Sequence, residues 1–134
     1  MIYLPDTNAW IAYLNPGNSP VKARFRAHPP ANVAFCSMVK AELFYGAYHS
    51  SQWEDNLRLL ATLFPQFKSV PFDDVAAETY GRLRADLAAR GTPIGPNDLM
   101  IAAIALVNQL ILVTHNTREF ARGAGLQLED WAST

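Results

Sequence analysis

The stretch MIYLPDTNAWIAYL, residues 1–14, joins a mostly apolar run to a helical pattern and places an acidic residue between them. The run 1–5 predicts a buried strand, and Trp10, Ile11 and Leu14 follow at the spacing of a helix over residues 7–14. Asp6 therefore stands where a strand becomes a helix. In a parallel α/β sheet such junctions meet at one edge, where ligands bind.

Two more acidic residues follow at equivalent junctions. Glu42 lies in the helix predicted after the strand-like run 33–36, and Asp98 opens the helical run that follows the turn 95–97. Carboxylates held about 4 Å apart at an effective dielectric near 20 repel one another by on the order of 4 kcal/mol per pair. A hard divalent cation such as Mg²⁺ or Mn²⁺ offsets this repulsion and prefers oxygen ligands.

We therefore predict a metal site formed by Asp6, Glu42 and Asp98, with Asn116 as a fourth catalytic position that orients a water or ligand. Asn116 follows the strand predicted over residues 110–114, which brings it to the same edge. A bound cation makes water a better nucleophile toward a phosphodiester and stabilises the charge that develops on phosphate. The chemistry that this arrangement favours is hydrolysis of a nucleic acid.

Helical patterns alternate with the strand-like runs, which predicts an α/β fold with a mainly parallel central sheet flanked by helices. The 134 residues fit a single domain, 1–134. The remaining strands are predicted at 33–36, 68–72 and 126–128, and the remaining helices at 19–27, 37–49, 52–64, 73–90, 97–108 and from 116 onward.

Composition limits the classes of function. A net charge of −1 and a pI near 6.3 disfavour a general nucleic-acid binder, so a nucleic-acid substrate would need a local basic patch such as Lys22, Arg24 and Arg26. The single cysteine, Cys36, excludes an internal disulfide and favours a cytoplasmic location. The apolar run 99–107 is too short to cross a membrane.

Each site residue also has a purely structural interpretation. Asp6 and Asp98 can cap their helices, and Glu42 can be a surface residue. Asn116 and Glu119 have the spacing of a capping box. Two other classes of protein also fit such residues: a non-catalytic, Mg²⁺-binding signalling domain resembling a response-regulator receiver, and a protein-binding module without activity.

Four segments together resemble the PIN-domain toxins of the VapC type. They are LPDTN at residues 4–8, KAEL at 40–43, IGPNDLMIA at 94–102 and VTHNTREF at 113–120, and the terminal LEDW at 128–131 extends the resemblance over almost the whole chain. The resemblance implies a PIN-like three-layer sandwich and a Mg²⁺- or Mn²⁺-dependent endoribonuclease of a toxin–antitoxin pair.

The resemblance also assigns residues and partners. Asp6, Glu42 and Asp98 match the metal-binding carboxylates of the family, and Asn116 matches a fourth position that many relatives fill with an acid. The implied partners are an RNA substrate, often tRNA, a cognate antitoxin and a second copy of the chain in a homodimer. An aromatic stretch of the predicted helix 37–49, Phe44, Tyr45 and Tyr48, could receive the antitoxin, although core packing or a dimer contact would explain it equally well. Pro5 departs from the family pattern, because an ordinary apolar residue usually precedes the Asp.

Overall fold

Five short strands, all paired in parallel, form the centre of the computed structural model, which describes residues 1–123 and 125–133. Hydrogen-bonded ladders join β1 to β4, β4 to β5 and β2 to β3, and one parallel bridge between Tyr3 and Val33 connects the two groups. The order across the sheet is therefore β3-β2-β1-β4-β5, with all carboxyl ends at one edge. The strands are β1 Tyr3–Pro5, β2 Ala34–Cys36, β3 Lys68–Val70, β4 Ile111–Val113 and β5 Leu128–Glu129.

Pro5 explains why β1 and β2 share only a bridge. The Asp6 N–H donates to the Val113 carbonyl at 2.9 Å, so by the alternation of a strand the nitrogen of Pro5 faces β2. Proline has no N–H, and the ladder on that side cannot continue past the bridge at Tyr3. The first strand ends at once, and the chain turns into a helix at Asp6.

Seven α-helices in the described part of the chain flank the sheet, which confirms the predicted three-layer α/β architecture. The most apolar of them, α6, is central: Leu99 and the run 101–105 are buried because this helix is covered on most sides. The helices are α1 Thr7–Leu14, α2 Pro20–Arg26, α3 Ser37–His49, α4 Trp53–Leu63, α5 Asp74–Ala89, α6 Pro96–Val107 and α7 Thr117–Phe120.

An aromatic cluster fixes α1 against the sheet. Trp10 is fully buried and stacks on Phe35 of β2 with ring centroids 3.8 Å apart. Phe25 of α2 and Phe67 meet the same indole at 4.8 and 5.0 Å. Because Trp10 lies one turn after Asp6, this packing also sets the position of the first acidic junction.

The observed boundaries correct several predictions by one or two residues. Helix α6 begins at Pro96, capped by Gly95, and not at Asn97 or Asp98. Helix α3 begins at Ser37, as predicted, with Cys36 as its N-cap residue. The third strand ends at Val70, before the proline that follows it, and the last strand is shifted to β5. The third strand lies at one edge of the sheet.

Two further observations concern the interior and the membrane. Cys36 is fully buried, and burial raises the pKa of its thiol to about 11. Among the helices of residues 1–123 and 125–133, none has the length and apolar character that a membrane span requires.

Candidate active site

The carboxyl edge of the sheet brings the three predicted acids within electrostatic reach of one another. Asp6 follows β1, Glu42 projects from α3 after β2, and Asp98 lies in the first turn of α6. Glu42 raises the pKa of Asp6, and both Asp6 and Glu42 raise the pKa of Asp98. The three residues therefore form one acidic site, although they are 36 and 56 positions apart in the chain.

Asp6 has a structural and an electrostatic role. Its side chain is 6% exposed, and its Oδ1 accepts a hydrogen bond of 2.9 Å from the Ala9 N–H, which caps α1. Burial raises its pKa, the hydrogen bonds from Thr114 and Ala9 act in the opposite direction, and the charges of Glu42 and Asp130 raise it further. The capping interpretation of Asp6 is therefore correct, and it coexists with membership of the acidic site.

Glu42 is tied to the first junction by a hydrogen bond. The Thr7 hydroxyl donates to Glu42 Oε1 at 2.7 Å across 35 positions of sequence. Glu42 is half-buried, so it is not a free surface residue. The contact orients one carboxylate oxygen and leaves the other available at the edge.

The surroundings of Asp98 raise the pKa of its carboxyl strongly. Burial is the largest cause, and the charges of Glu119, Asp6 and Glu42 add to it, so that its pKa rises to about 6. The structure shows no capping hydrogen bond from Asp98, since Gly95 is the N-cap of α6. The structural interpretation of Asp98 as a helix cap is therefore wrong.

Glu119 is a fourth carboxylate at the site that the sequence analysis missed. It is the strongest charged neighbour of Asp98, and its Oε1 accepts a hydrogen bond of 3.4 Å from the Gly95 N–H at the start of α6. The capping-box spacing of Asn116 and Glu119 gave it a local explanation. The sequence signal that could have identified Glu119 is its position one helical turn after Asn116. Asn116 follows a strand end equivalent to those near the other site residues.

Asn116 contacts this fourth carboxylate. Its Nδ2 donates to Glu119 Oε2 at 2.5 Å, while its backbone N–H donates to the Thr114 hydroxyl at 3.0 Å. No side-chain capping bond is formed at the start of α7, so the predicted capping box is wrong. The amide of Asn116 instead holds Glu119 toward the acidic site.

The four carboxylates lack cationic partners within the described residues. The ion pairs there involve five of the eight other acids, Glu54, Asp55, Asp86, Glu129 and Asp130. Burial without a counter-charge is costly for a carboxylate, and a divalent cation supplies that charge. An oxygen-only donor set also suits Mg²⁺ or Mn²⁺ better than zinc.

These donors do not form a finished coordination shell. In the described ranges 1–123 and 125–133, no three His, Cys, Asp or Glu side chains are grouped closely enough to hold a metal ion as they stand. The residues supply charge and ligand chemistry, and their side chains would have to move to bring the oxygens onto one ion.

Fold and site together define a small α/β domain with an acidic centre at the carboxyl edge of a parallel sheet, an arrangement suited to a phosphodiester-cleaving hydrolase. The model of the PIN-domain family matches residues 3–126. The tRNA(fMet)-specific endonuclease VapC of Shigella flexneri is 38% identical over 130 residues, which cover 97% of this chain and 98% of that protein.

Solved structures agree with the family match. The DNA-bound VapBC of Salmonella typhimurium superposes with a TM-score of 0.90 at 35% identity and covers 98% of both chains. VapBC2 of Rickettsia felis, bound to a fragment of promoter DNA, gives 0.89 at 34% identity over 98% of this chain and 99% of that chain. The chain belongs to the PIN-domain family and, within it, to the VapC-type ribonucleases.

Proposed function

We propose that this chain is a Mg²⁺- or Mn²⁺-dependent endoribonuclease that cleaves tRNA and acts as the toxin of a toxin–antitoxin pair. The observation that supports it most directly is the group of four carboxylates, Asp6, Glu42, Asp98 and Glu119, without a cationic partner in the described residues. Family membership favours this function over the receiver-like domain and over the inactive binding module. The tRNA part depends on the relatives named tRNA(fMet)-specific endonucleases.

In this proposal, the site residues have different roles. Asp6, Glu42, Asp98 and Glu119 would hold the cation, with Thr7 orienting Glu42 and Asn116 orienting Glu119. When bound, the cation supplies positive charge for the scissile phosphate and promotes deprotonation of water. Before it binds, Asp98 must lose its proton, which its raised pKa makes harder below about pH 6.

The proposed partners are a cognate antitoxin and a second copy of the chain, and the proposed location is the cytoplasm. Several similar solved structures are VapBC complexes. On α3, Tyr45 and Tyr48 are 70% and 64% exposed, so their rings offer an apolar surface to an antitoxin, whereas Phe44 is partly covered by Phe64 at 5.3 Å. Light scattering of the purified chain, alone and with the product of a neighbouring antitoxin gene, measures both assemblies.

Incubation of the purified protein with tRNA tests the activity. We expect discrete cleavage products with Mg²⁺ or Mn²⁺, and no products after EDTA, because the carboxylates alone cannot neutralise the phosphate. Asp98→Asn should be inactive, whereas Glu78→Gln, which removes an exposed acid of α5, should cleave like the unmodified protein. Cleavage that survives EDTA, or that Asp98→Asn retains, would refute the proposal.

A further inference from the structure

A cavity of about 180 Å³ lies beside the acidic site and has no part in the proposed cation chemistry. It opens between α1, α2 and the chain that follows β5. Ala12, Val21 and Trp131 give it apolar walls, while Asn8 and His115 contribute polar groups. Trp131 is buried and Asn8 and His115 are exposed, so the cavity has an apolar floor and a polar mouth.

The cavity and the acidic site share a wall. Thr114 lines the cavity, and its side chain lies close enough to Asp6 to lower the pKa of that carboxyl. Asp130, another lining residue, is close enough for its charge to raise the pKa of Asp6. A molecule that occupies the cavity therefore lies next to a molecule that reacts at the carboxylates.

His115 is held at the mouth by a small polar network. Its Nδ1 lies 3.0 Å from Asp130 Oδ2, which also accepts from the Ser133 hydroxyl at 2.8 Å. Asp130 Oδ1 accepts from the Ala132 N–H at 2.9 Å. These bonds lower the pKa of Asp130, and an ionised carboxylate only accepts hydrogen bonds. The rest of the imidazole, with a side chain 76% exposed, faces outward.

We propose that this cavity receives one unstacked base of the RNA, from a nucleotide next to the scissile phosphate. This rests on the proposed endoribonuclease function. Proteins that recognise single-stranded RNA splay bases out and bury them against apolar and aromatic side chains, with hydrogen bonds to the base edges. Asn8 offers both a donor and an acceptor to such an edge, and the imidazole of His115 offers a second polar contact.

Size and charge favour a base over other occupants. The volume is below the roughly 300–1,000 Å³ of pockets that hold whole drug-sized ligands, which fits one planar ring system better than a complete nucleotide. A phosphate inside the cavity would be repelled by Asp130 and Asp6. A base carries no net charge and can bury its apolar faces there.

The test uses a short RNA whose cleavage position has first been mapped with the unmodified protein. Versions that lack the base at each nucleotide flanking that position are then compared with the intact RNA. At one of these nucleotides, loss of the base should reduce kcat/KM by roughly ten- to a hundredfold, as expected for loss of one stacked base. Ala12→Leu, which fills the cavity, should reduce kcat/KM on intact RNA to the abasic value and remove the difference between the two substrates.

Two controls separate reading of the base from damage to the fold. Ala132→Leu fills the cavity from a different segment and an exposed position, and it should act like Ala12→Leu, whereas Ala77→Leu on the outer face of α5 should change neither substrate. A binding measurement complements the kinetics. With 2-aminopurine at the sensitive nucleotide and a non-hydrolysable linkage at the cleavage position, the unmodified protein with Mg²⁺ should change the fluorescence on binding, and Ala12→Leu should not.

Several outcomes would overturn the inference while leaving the nuclease function intact. Equal cleavage of intact and abasic RNA by the unmodified protein would be one. Equal losses on both substrates in the two cavity-filling variants, or weaker antitoxin binding with unchanged discrimination between the substrates, would be others. The absence of any RNA cleavage by the unmodified protein would instead refute the proposed function itself.

Discussion

The ionised form of Asp98 is energetically unfavourable because several features of its surroundings oppose its negative charge. Burial disfavours the ionised form, and Glu119, Asp6 and Glu42 add repulsion, which together raise the pKa from 3.8 to about 6. A carboxyl that binds protons more tightly in the folded chain than in the unfolded chain makes folding less favourable as the pH rises. An ionised Asp98 therefore lowers the free energy of unfolding.

Replacement of Asp98 by Asn should relieve that cost. The shift would correspond to about 3 kcal/mol for a fully buried group, and the half-exposed position of Asp98 reduces the expected gain to about 1 kcal/mol after solvent screening. The penalty is absent below about pH 4, develops between about pH 4 and 6, and is complete above it. Urea unfolding of the metal-free Asp98→Asn and unmodified proteins should therefore show a difference at pH 7.5 that disappears at pH 4. A variant that is less stable at pH 7.5 would show that Asp98 is a structural residue.

Two substitutions of Asp6 can separate its role as a helix cap from the effect of its negative charge. Asn is as good an N-cap as Asp, so Asp6→Asn should retain the bond to the Ala9 N–H, whereas Asp6→Ala should lose it and about 1 kcal/mol of unfolding free energy. Both should lose RNA cleavage, because both remove a carboxylate from the site. Chemical denaturation and tRNA cleavage, measured on the same two preparations, check the prediction. Activity in Asp6→Asn would mean that only the cap matters.

The short helix α7 shows how a local pattern can conceal a site residue. Asn116 and Glu119 lie three positions apart on one helical turn. Their side chains hydrogen-bond to each other and not to the backbone of the helix. Asn116→Ala would release one oxygen of Glu119, while the contact of the other oxygen with Gly95 remains. Loss of Asn116 should therefore weaken the site without destroying it.

We expect Asn116→Ala to lower kcat/KM on tRNA by roughly tenfold, the low end of the effect of an outer-shell partner of a metal ligand. Glu119→Gln should lower it more, since it removes a charge of the site itself. The Mg²⁺ concentration at half-maximal activity should rise in Asn116→Ala, a shift that a general loss of folded protein would not produce. An activity loss in Asn116→Ala as large as in Glu119→Gln, with an unchanged Mg²⁺ dependence, would contradict this positioning role.

How accurately each feature could be predicted depends on how far apart in the sequence the interacting residues lie. The bounds of α1 were predicted correctly because a cap and a helical apolar pattern define them within the helix itself. The order β3-β2-β1-β4-β5 was not predicted, since it depends on contacts between distant segments. The location of Asp6, Glu42 and Asp98 at one edge could be predicted because parallel strands bring their ends together there, whereas the position of Glu119 depends on the contact between α7 and the start of α6.

From the distribution of charge over the entire chain, we expect the proposed RNA binding to require a cation. The net charge is −1, and the four site carboxylates repel phosphate at the place where cleavage is proposed. On α2, the candidate basic patch is partly engaged, because Arg24 pairs with Glu129 at 3.2 Å and Lys22 donates to the Gly17 carbonyl at 2.6 Å. A divalent ion at the carboxyl edge would offset two of the four negative charges there and would give the phosphate a positively charged contact.

Binding of that ion should stabilise the folded chain as a unit. A ligand at ten times its Kd adds about 1.4 kcal/mol to the free energy of unfolding, and for a chain of this size the Tm should rise by roughly 4 °C. Thermal scans at pH 7.5, where Asp98 is ionised, should show this shift with Mg²⁺ and none with K⁺ at equal ionic strength. Glu78→Gln should keep the shift and Asp98→Asn should lose it, because only the latter removes a ligand. An equal shift in Asp98→Asn would mean that Mg²⁺ binds elsewhere on the molecule, and the assignment of the carboxyl edge as the cation site would fail.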